Sequence, residues 1–89
     1  MKVRFHSKFL KNYKRRISKN KKLVNQVRDR INRFKDNPKD PILKTHNLTG
    51  AKKGLSAFSV TGDIRILYQE IAEEEVIFID IGTHNQVYA

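Results

Sequence analysis

The apolar positions of the chain change period twice, and those changes mark out its elements. Lys2-Val3-Arg4-Phe5 alternates polar and apolar and predicts a short strand. From residue 7 the spacing turns helical. Phe9, Leu10, Tyr13 and Ile17 fall on one side, Lys8, Lys11, Lys14, Arg15 and Arg16 cover the rest, and Ser7 stands where a cap is expected. Ser18-Lys19-Asn20 breaks the pattern. A second stripe, Leu23, Val24, Val27, Ile31 and Phe34, predicts a second helix. Asn37-Pro38 ends it, because proline disfavours helical geometry in the residue before it. Residues 37–54 carry no period and read as one long connection, pinned to the core by Ile42, Leu43 and Leu48. So long a connection in so short a chain is usually functional or mobile.

From residue 55 the period is two. Strands are predicted over 55–60, 64–71 and 75–81, joined by a two-residue turn at Thr61-Gly62 and a loop over 72–74. If Ile64, Ile66 and Tyr68 share a face with Ile77, Ile79 and Ile81, then Ile66 stands opposite Ile79, and Arg65 opposite Asp80. The short turn then places Ser56, Phe58 and Val60 beside Arg65 and Leu67. The expectation is an isoleucine-rich face against the helices and an opposite face carrying Arg65, Asp80, Phe58 and Ser56; a slip of one residue would exchange them. The order is βααβββ, an α+β fold with two N-terminal helices packed on a mainly antiparallel sheet.

Eighty-nine residues suit one domain spanning 1–89, since two cores would each be too small to offset chain entropy. With no cysteine, neither a disulfide framework nor a thiolate metal site is possible. The N-terminus lacks the apolar run of a signal peptide and nothing approaches membrane-spanning length, so a soluble, cytoplasmic protein is expected. Charge changes the picture more. Residues 1–44 hold sixteen Lys/Arg against three Asp/Glu, residues 45–89 three against six, so the halves carry about +13 and −3 of the net +10. A field of that sign attracts phosphate backbones or an acidic protein. Lys44, Lys52 and Lys53 in the long connection, with Lys11 and Arg15 on the first helix, are the candidate RNA contacts.

Three polar stretches remain: His46-Asn47-Leu48-Thr49-Gly50, Asp63-Ile64-Arg65, and Ile81-Gly82-Thr83-His84 running on to Val87-Tyr88. Histidine suits either proton role in phosphodiester chemistry, because its unperturbed pKa lies near neutrality. An arginine fork suits the charge of the phosphorane. There is no Gly-rich phosphate loop, nucleophile elbow or metal-ligand spacing. The structural alternatives are a surface histidine past a strand end for His84, turn chemistry for Asp63, and a cross-strand ion pair between Arg65 and Asp80. His6, at a strand–helix junction, reads as structural.

Taken together, His46-x-Leu48-x-Gly50, Gly54, Asp63 to Tyr68, and Ile79-Asp80-Ile81-Gly82-Thr83-His84 with Val87-Tyr88 resemble the RelE/YafQ branch of the RelE/ParE toxins. The resemblance implies an mRNA interferase of a type II toxin–antitoxin pair, an endoribonuclease that cuts mRNA at the ribosome without metal or other cofactor. The implied partners are mRNA, ribosomal RNA and an acidic antitoxin, the toxin being a monomer when free and part of a hetero-oligomer when bound. His84 then matches the Gly-Thr-His histidine, His46 the loop histidine, Asp63 an aspartate that serves or orients a proton acceptor, Arg65 the phosphate clamp and Tyr88 the terminal aromatic. The chain departs from the pattern at Ser59, where many members have histidine. It departs also at Ser56 and Phe58, where RelE has lysines, and at Asp80, whose charge opposes phosphate unless Arg65 neutralises it. Those departures leave open a slow or degenerate nuclease. They also leave open a non-catalytic module of the same fold, either a gyrase inhibitor or an inert antitoxin-binding protein.

Overall fold

The computed structural model describes residues 1–88. β1 (Lys2–Phe5) leads into α1 (Ser7–Arg16) and α2 (Lys21–Asp36). A 3₁₀ turn at Pro41–Leu43, β2 (His46–Asn47) and a second 3₁₀ turn at Gly50–Lys52 follow. β3 (Ser56–Ser59), β4 (Ile64–Ala72), β5 (Glu75–Thr83) and a closing helix α3 (His84–Tyr88) complete the chain. The strands form one sheet in the order β1-β5-β4-β3-β2, antiparallel except where β1 runs parallel to β5. This is the α+β architecture the periodicity predicts, with two differences. The long connection contains a strand and two 3₁₀ turns, and the segment after Thr83 is a helix.

Each helix start is fixed by local chemistry. α1 is capped by His6 rather than Ser7: the imidazole Nδ1 accepts from the Lys8 amide at 3.0 Å, so His6 is structural as expected. Asn20 caps α2 by accepting from the Leu23 amide, and Asn37, extended ahead of Pro38, ends it. At α3 the Thr83 amide donates to Gln86 Oε1 at 2.8 Å while the Gln86 amide donates to Thr83 Oγ1 at 3.2 Å. That reciprocal capping box is what starts a helix of only five residues.

Phe9 of α1, Ile17 at its C-terminal cap, and Val27 and Phe34 of α2 bury against Phe58, Ile66, Tyr68, Phe78 and Ile81 of the sheet. Phe34 stacks on Phe58 at 4.6 Å and meets Tyr68 and Phe78 edge-on at 4.8 and 5.7 Å, an arrangement that satisfies the ring quadrupoles as well as burying area. On the opposite face a smaller core joins Ala57, Leu67 and Val87, with Leu48, Leu55, Ile79 and Tyr88 packed around it.

Two register expectations are overturned. The β3–β4 loop is three residues, 61–63, because Val60 donates its amide to the Ile64 carbonyl and Phe58 pairs with Ile66. Thr61 Oγ1 closes the longer loop by accepting from the Asp63 and Ile64 amides at 3.2 and 2.9 Å. One extra residue exchanges the faces of β3. Phe58 therefore joins the main core and Ser56 stands beside Tyr68, while Ala57 and Ser59 accompany Leu67 and Arg65. On β5, Ile66 pairs with Ile81 rather than Ile79, and Arg65 with Gly82 rather than Asp80. A bulge at Ile79, between the pairs Leu67–Asp80 and Tyr68–Phe78, lets Phe78 and Ile81 both face the helices and sends Ile79 to the smaller core.

The bulge also decides the fate of Asp80, which does not meet Arg65. It is 2% exposed and turned onto α1. Its Oδ1 accepts from Asn12 Nδ2 at 2.7 Å and from the Ile81 amide at 2.8 Å, with Arg16 Nη1 at 3.5 Å and Lys8 Nζ at 3.7 Å from the carboxylate. Arg65 instead donates to the Thr61 carbonyl at 3.0 Å. The Asp80 charge is thus neutralised from the helix side, by Arg16 and Lys8 and not by Arg65.

Candidate active site

The face of the sheet that carries the smaller core also carries the polar residues. His46 pairs with Ala57, and Ala57 with Leu67, so His46 shares that face; Arg65, two residues from Leu67 on β4, does too. α3 lies over the same face, anchored by Val87. Its first residue, His84, and its last, Tyr88, are one helical turn apart and pack edge to face with ring centroids 4.4 Å apart. The Tyr88 hydroxyl stands 3.5 Å from His46 Nε2, the outer limit of hydrogen-bonding reach. His46 Nδ1 lies 3.1 Å from the Lys44 carbonyl, which can only accept; a proton on Nδ1 leaves Nε2 as the lone pair facing the tyrosine.

Burial raises the pKa of the Tyr88 hydroxyl, and the nearby Arg65 guanidinium opposes that rise. The tyrosine therefore stays a protonated donor, and Arg65 is close enough to be felt. His84, His46, Arg65 and Tyr88 are in this way gathered on one face. Asp63 joins through its backbone, its carbonyl accepting from the His84 amide at 3.1 Å, while its side chain is exposed. Lys52 lines, with Tyr88, a cavity of about 370 Å³. Lys53 lines a neighbouring hollow with Asn47 and Glu70. Lys44 adjoins His46 through its carbonyl. Lys11 and Arg15 lie on α1, across the sheet, and are not part of this cluster. Among the described residues, no three His, Asp or Glu side chains are grouped as a metal would require.

Residues that the periodicity did not single out complete the frame. Gly82 leaves room where β5 meets α3: a β-carbon there would lie 2.6 Å from Gln86 Oε1 and 2.7 Å from Arg16 Nη1. Arg16 also donates to the Ile81 carbonyl at 2.9 Å, so α1 grips the strand three residues before His84. The signals were present as Thr83-x-x-Gln86, a capping box, and as Asn12 and Arg16, polar residues bordering the apolar stripe of α1.

Two helices on one face of this sheet, and a histidine–tyrosine helix closing the other, make up the RelE-like toxin fold. The chain superposes on the crystal structure of YafQ from E. coli strain BL21(DE3) with TM-score 0.82 and 21% identity, covering 98% of this chain and 97% of that one. It superposes also on a YoeB/ParE toxin from Agrobacterium tumefaciens (TM-score 0.77, 20% identity, 94% and 99% covered) and on the E. coli DinJ–YafQ toxin–antitoxin complex (TM-score 0.79, 21%, 98% and 96%). Residues 1–89 match the family model of the bacterial toxin of type II toxin–antitoxin systems, YafQ, and the chain belongs to that family. No curated protein matches it.

Proposed function

We propose that this toxin is a metal-independent endoribonuclease that cleaves mRNA at the ribosome by attack of a 2′-hydroxyl on the adjacent phosphate. The observation that carries the reading is the convergence of His84, Tyr88 and His46 on the face that also holds Arg65. In this reading His46 Nε2 accepts the 2′-hydroxyl proton as the new 2′-O–P bond forms. His84 protonates the leaving 5′-oxygen as the P–O5′ bond breaks, giving a 2′,3′-cyclic phosphate and a 5′-hydroxyl. Arg65 and the Tyr88 hydroxyl donate to the phosphoryl oxygens as negative charge builds on the phosphorane. Asp63 holds the His84 backbone, and Lys44, Lys52 and Lys53 draw in the strand, with Lys11 and Arg15 reaching ribosomal RNA on the far side.

Ser56 and Phe58 bear on rate. Both belong to the helix-facing side of β3, so no lysine at either position would reach the histidines without leaving the core face. The partner is an acidic antitoxin, as the family and the DinJ–YafQ complex suggest. A groove of about 270 Å³ between α1 and α2, lined by Phe5, Leu10, Tyr13, Ile31 and the cationic Arg28, fits an acidic amphipathic segment.

The test is induction of the wild type and of His84→Ala in growing cells with primer extension on translated messages. The wild type should arrest growth with cuts inside codons, and His84→Ala should lower cleavage about 10²–10⁴-fold, the range of one proton-transfer group. Equal arrest by both proteins without cuts would refute catalysis and leave a binding toxin, which inhibition of purified gyrase would then identify.

A further inference from the structure

We propose that a pocket at the end of the sheet, where α2, the long connection and the β3–β4 loop meet, is a phosphate subsite that holds a phosphodiester neighbouring the scissile one. The proposal rests on the reading that the chain acts on RNA. The pocket measures about 200 Å³ and is lined by Arg30, Lys44, Ser59, Thr61, Gly62 and Arg65, with the Ile42 side chain at its wall. Three cations from α2, the long connection and β4 converge there, and among the described residues no carboxylate lines it. Its size falls below the roughly 300 Å³ at which pockets begin to take drug-sized molecules, and so suits a small charged group.

Arg30 and Arg65 are held in place before any ligand arrives. Arg30 Nη1 donates to the Ile42 carbonyl at 3.1 Å and its Nε stands 3.8 Å from Asp29, while Arg65 Nη1 donates to the Thr61 carbonyl. A guanidinium has five N–H donors, so each fork keeps donors to spare for an anion. The Arg30 side chain is 22% exposed against 59% for Asp29, so the carboxylate lies toward solvent and the arginine toward the pocket. Lys44 occupies a left-handed backbone conformation, φ 50°, that disfavours any residue with a β-carbon, yet this chain places a lysine there. The Ser59 hydroxyl and the Gly62 backbone, which has nothing within 4 Å of where a β-carbon would stand, complete a small polar cradle.

Position makes it a neighbouring subsite. Arg65 borders both places, lining the pocket and acting on the Tyr88 hydroxyl, and the Lys44 carbonyl meets His46. A strand whose reacting phosphate lies among His46, His84 and Arg65 passes its next phosphate toward Arg30 and Lys44.

Binding of 2′-deoxy oligonucleotides, which lack the attacking hydroxyl, tests this with wild type, Arg30→Gln, Arg30→Lys and Lys44→Gln. A dinucleotide carries one phosphodiester and a tetranucleotide three. On the tetranucleotide, Arg30→Gln and Lys44→Gln should each flatten the slope of log K against log salt by about 0.7, the single-strand value per phosphate contact. Over a roughly fourfold rise in salt the wild type then loses about 2.6-fold more affinity than either variant. Arg30→Lys, which keeps the charge, should restore the slope, and dinucleotide binding should be the same in wild type, Arg30→Gln and Arg30→Lys. A purely structural role for Arg30 would weaken both oligonucleotides alike and leave the Lys44→Gln slope at the wild-type value, which overturns the proposal. Wild-type slopes in both variants also overturn it and leave the RNA reading standing. If the wild type binds neither oligonucleotide, the RNA reading falls and the subsite with it.

Discussion

Asp80 is the buried charge on which the join between helix and site depends, and removing it has a calculable cost. Asp80→Ala deletes the acceptor of the Asn12 amide, whose residue is 5% exposed and has no solvent to turn to. An orphaned buried donor costs about 1–3 kcal/mol. It also leaves the Arg16 guanidinium, with a side chain 24% exposed, beside an empty site. Breaking a fully buried pair costs about 3–5 kcal/mol, and partial exposure of Arg16 reduces that share. Lys8 is 56% exposed and contributes little, because exposed pairs are screened. The total is about 3 kcal/mol, which for a chain this short lowers Tm by roughly 12–24 °C.

Urea unfolding of wild type, Asp80→Ala, Asp80→Asn and Lys8→Ala checks the ranking. Asp80→Asn keeps an oxygen for Asn12 but sets an amide against Arg16, so a loss of about 1–2 kcal/mol is expected. Lys8→Ala should lie within about 0.5 kcal/mol of wild type, as surface changes do. A loss under about 1 kcal/mol for Asp80→Ala, or a Lys8→Ala loss equal to it, would refute the buried network and restore a solvent-facing Asp80.

Two titrations follow from the same geometry. Arg65→Gln should raise the pH at which the Tyr88 hydroxyl ionises, since burial remains and the opposing charge is gone; near-ultraviolet tyrosinate absorbance, referenced to Tyr88→Phe, reads it, and an unchanged midpoint would separate the two residues. Glu75 is held below the usual glutamate range, first by the Arg4 hydrogen bond and then by the Arg4 and Lys2 charges. A depressed folded value means that the β1–β5 link is complete above the unfolded pKa and is lost as pH falls through the folded one. Carboxyl NMR should show the Glu75 midpoint moving up in Arg4→Gln, and an unmoved midpoint would remove Arg4 as the cause.

What was legible in the chain was whatever a period could carry. Helical spacing located α1 and α2, alternation located β1, β3, β4 and β5, and Pro38 ended α2 where it should. Face assignment failed because it depends on single residues that periodicity does not weigh. One more loop residue before Ile64 moved Phe58 into the aromatic stack with Phe34, and one bulged residue at Ile79 turned Asp80 toward Asn12. In the run Val76-Ile77-Phe78-Ile79-Asp80-Ile81 each parity carries at least two apolar residues, so alternation alone does not fix which of them face the helices. Partners break the tie: Asn12 and Arg16, an i, i+4 pair bordering the α1 stripe, require a buried acceptor, and Asp80 is the acid within that run.

That dependence explains how a short terminal segment holds a site. Five residues of α3 have no helical stability of their own, since nucleation outweighs so few propagating bonds. The segment is ordered by three contacts from outside it: the Thr83–Gln86 capping box, Val87 in the smaller core, and the His84 amide on the Asp63 carbonyl. Two of these arise where β5 ends. The course of β5 there is set by the bulge at Ile79, by Asp80 on Asn12 and by Arg16 on the Ile81 carbonyl. The positions of His84 and Tyr88 are therefore decided from the helix side of the sheet, through residues on the face opposite the one they occupy. The basic helices do more than supply a field: α1 holds the strand end from which the histidine–tyrosine pair projects.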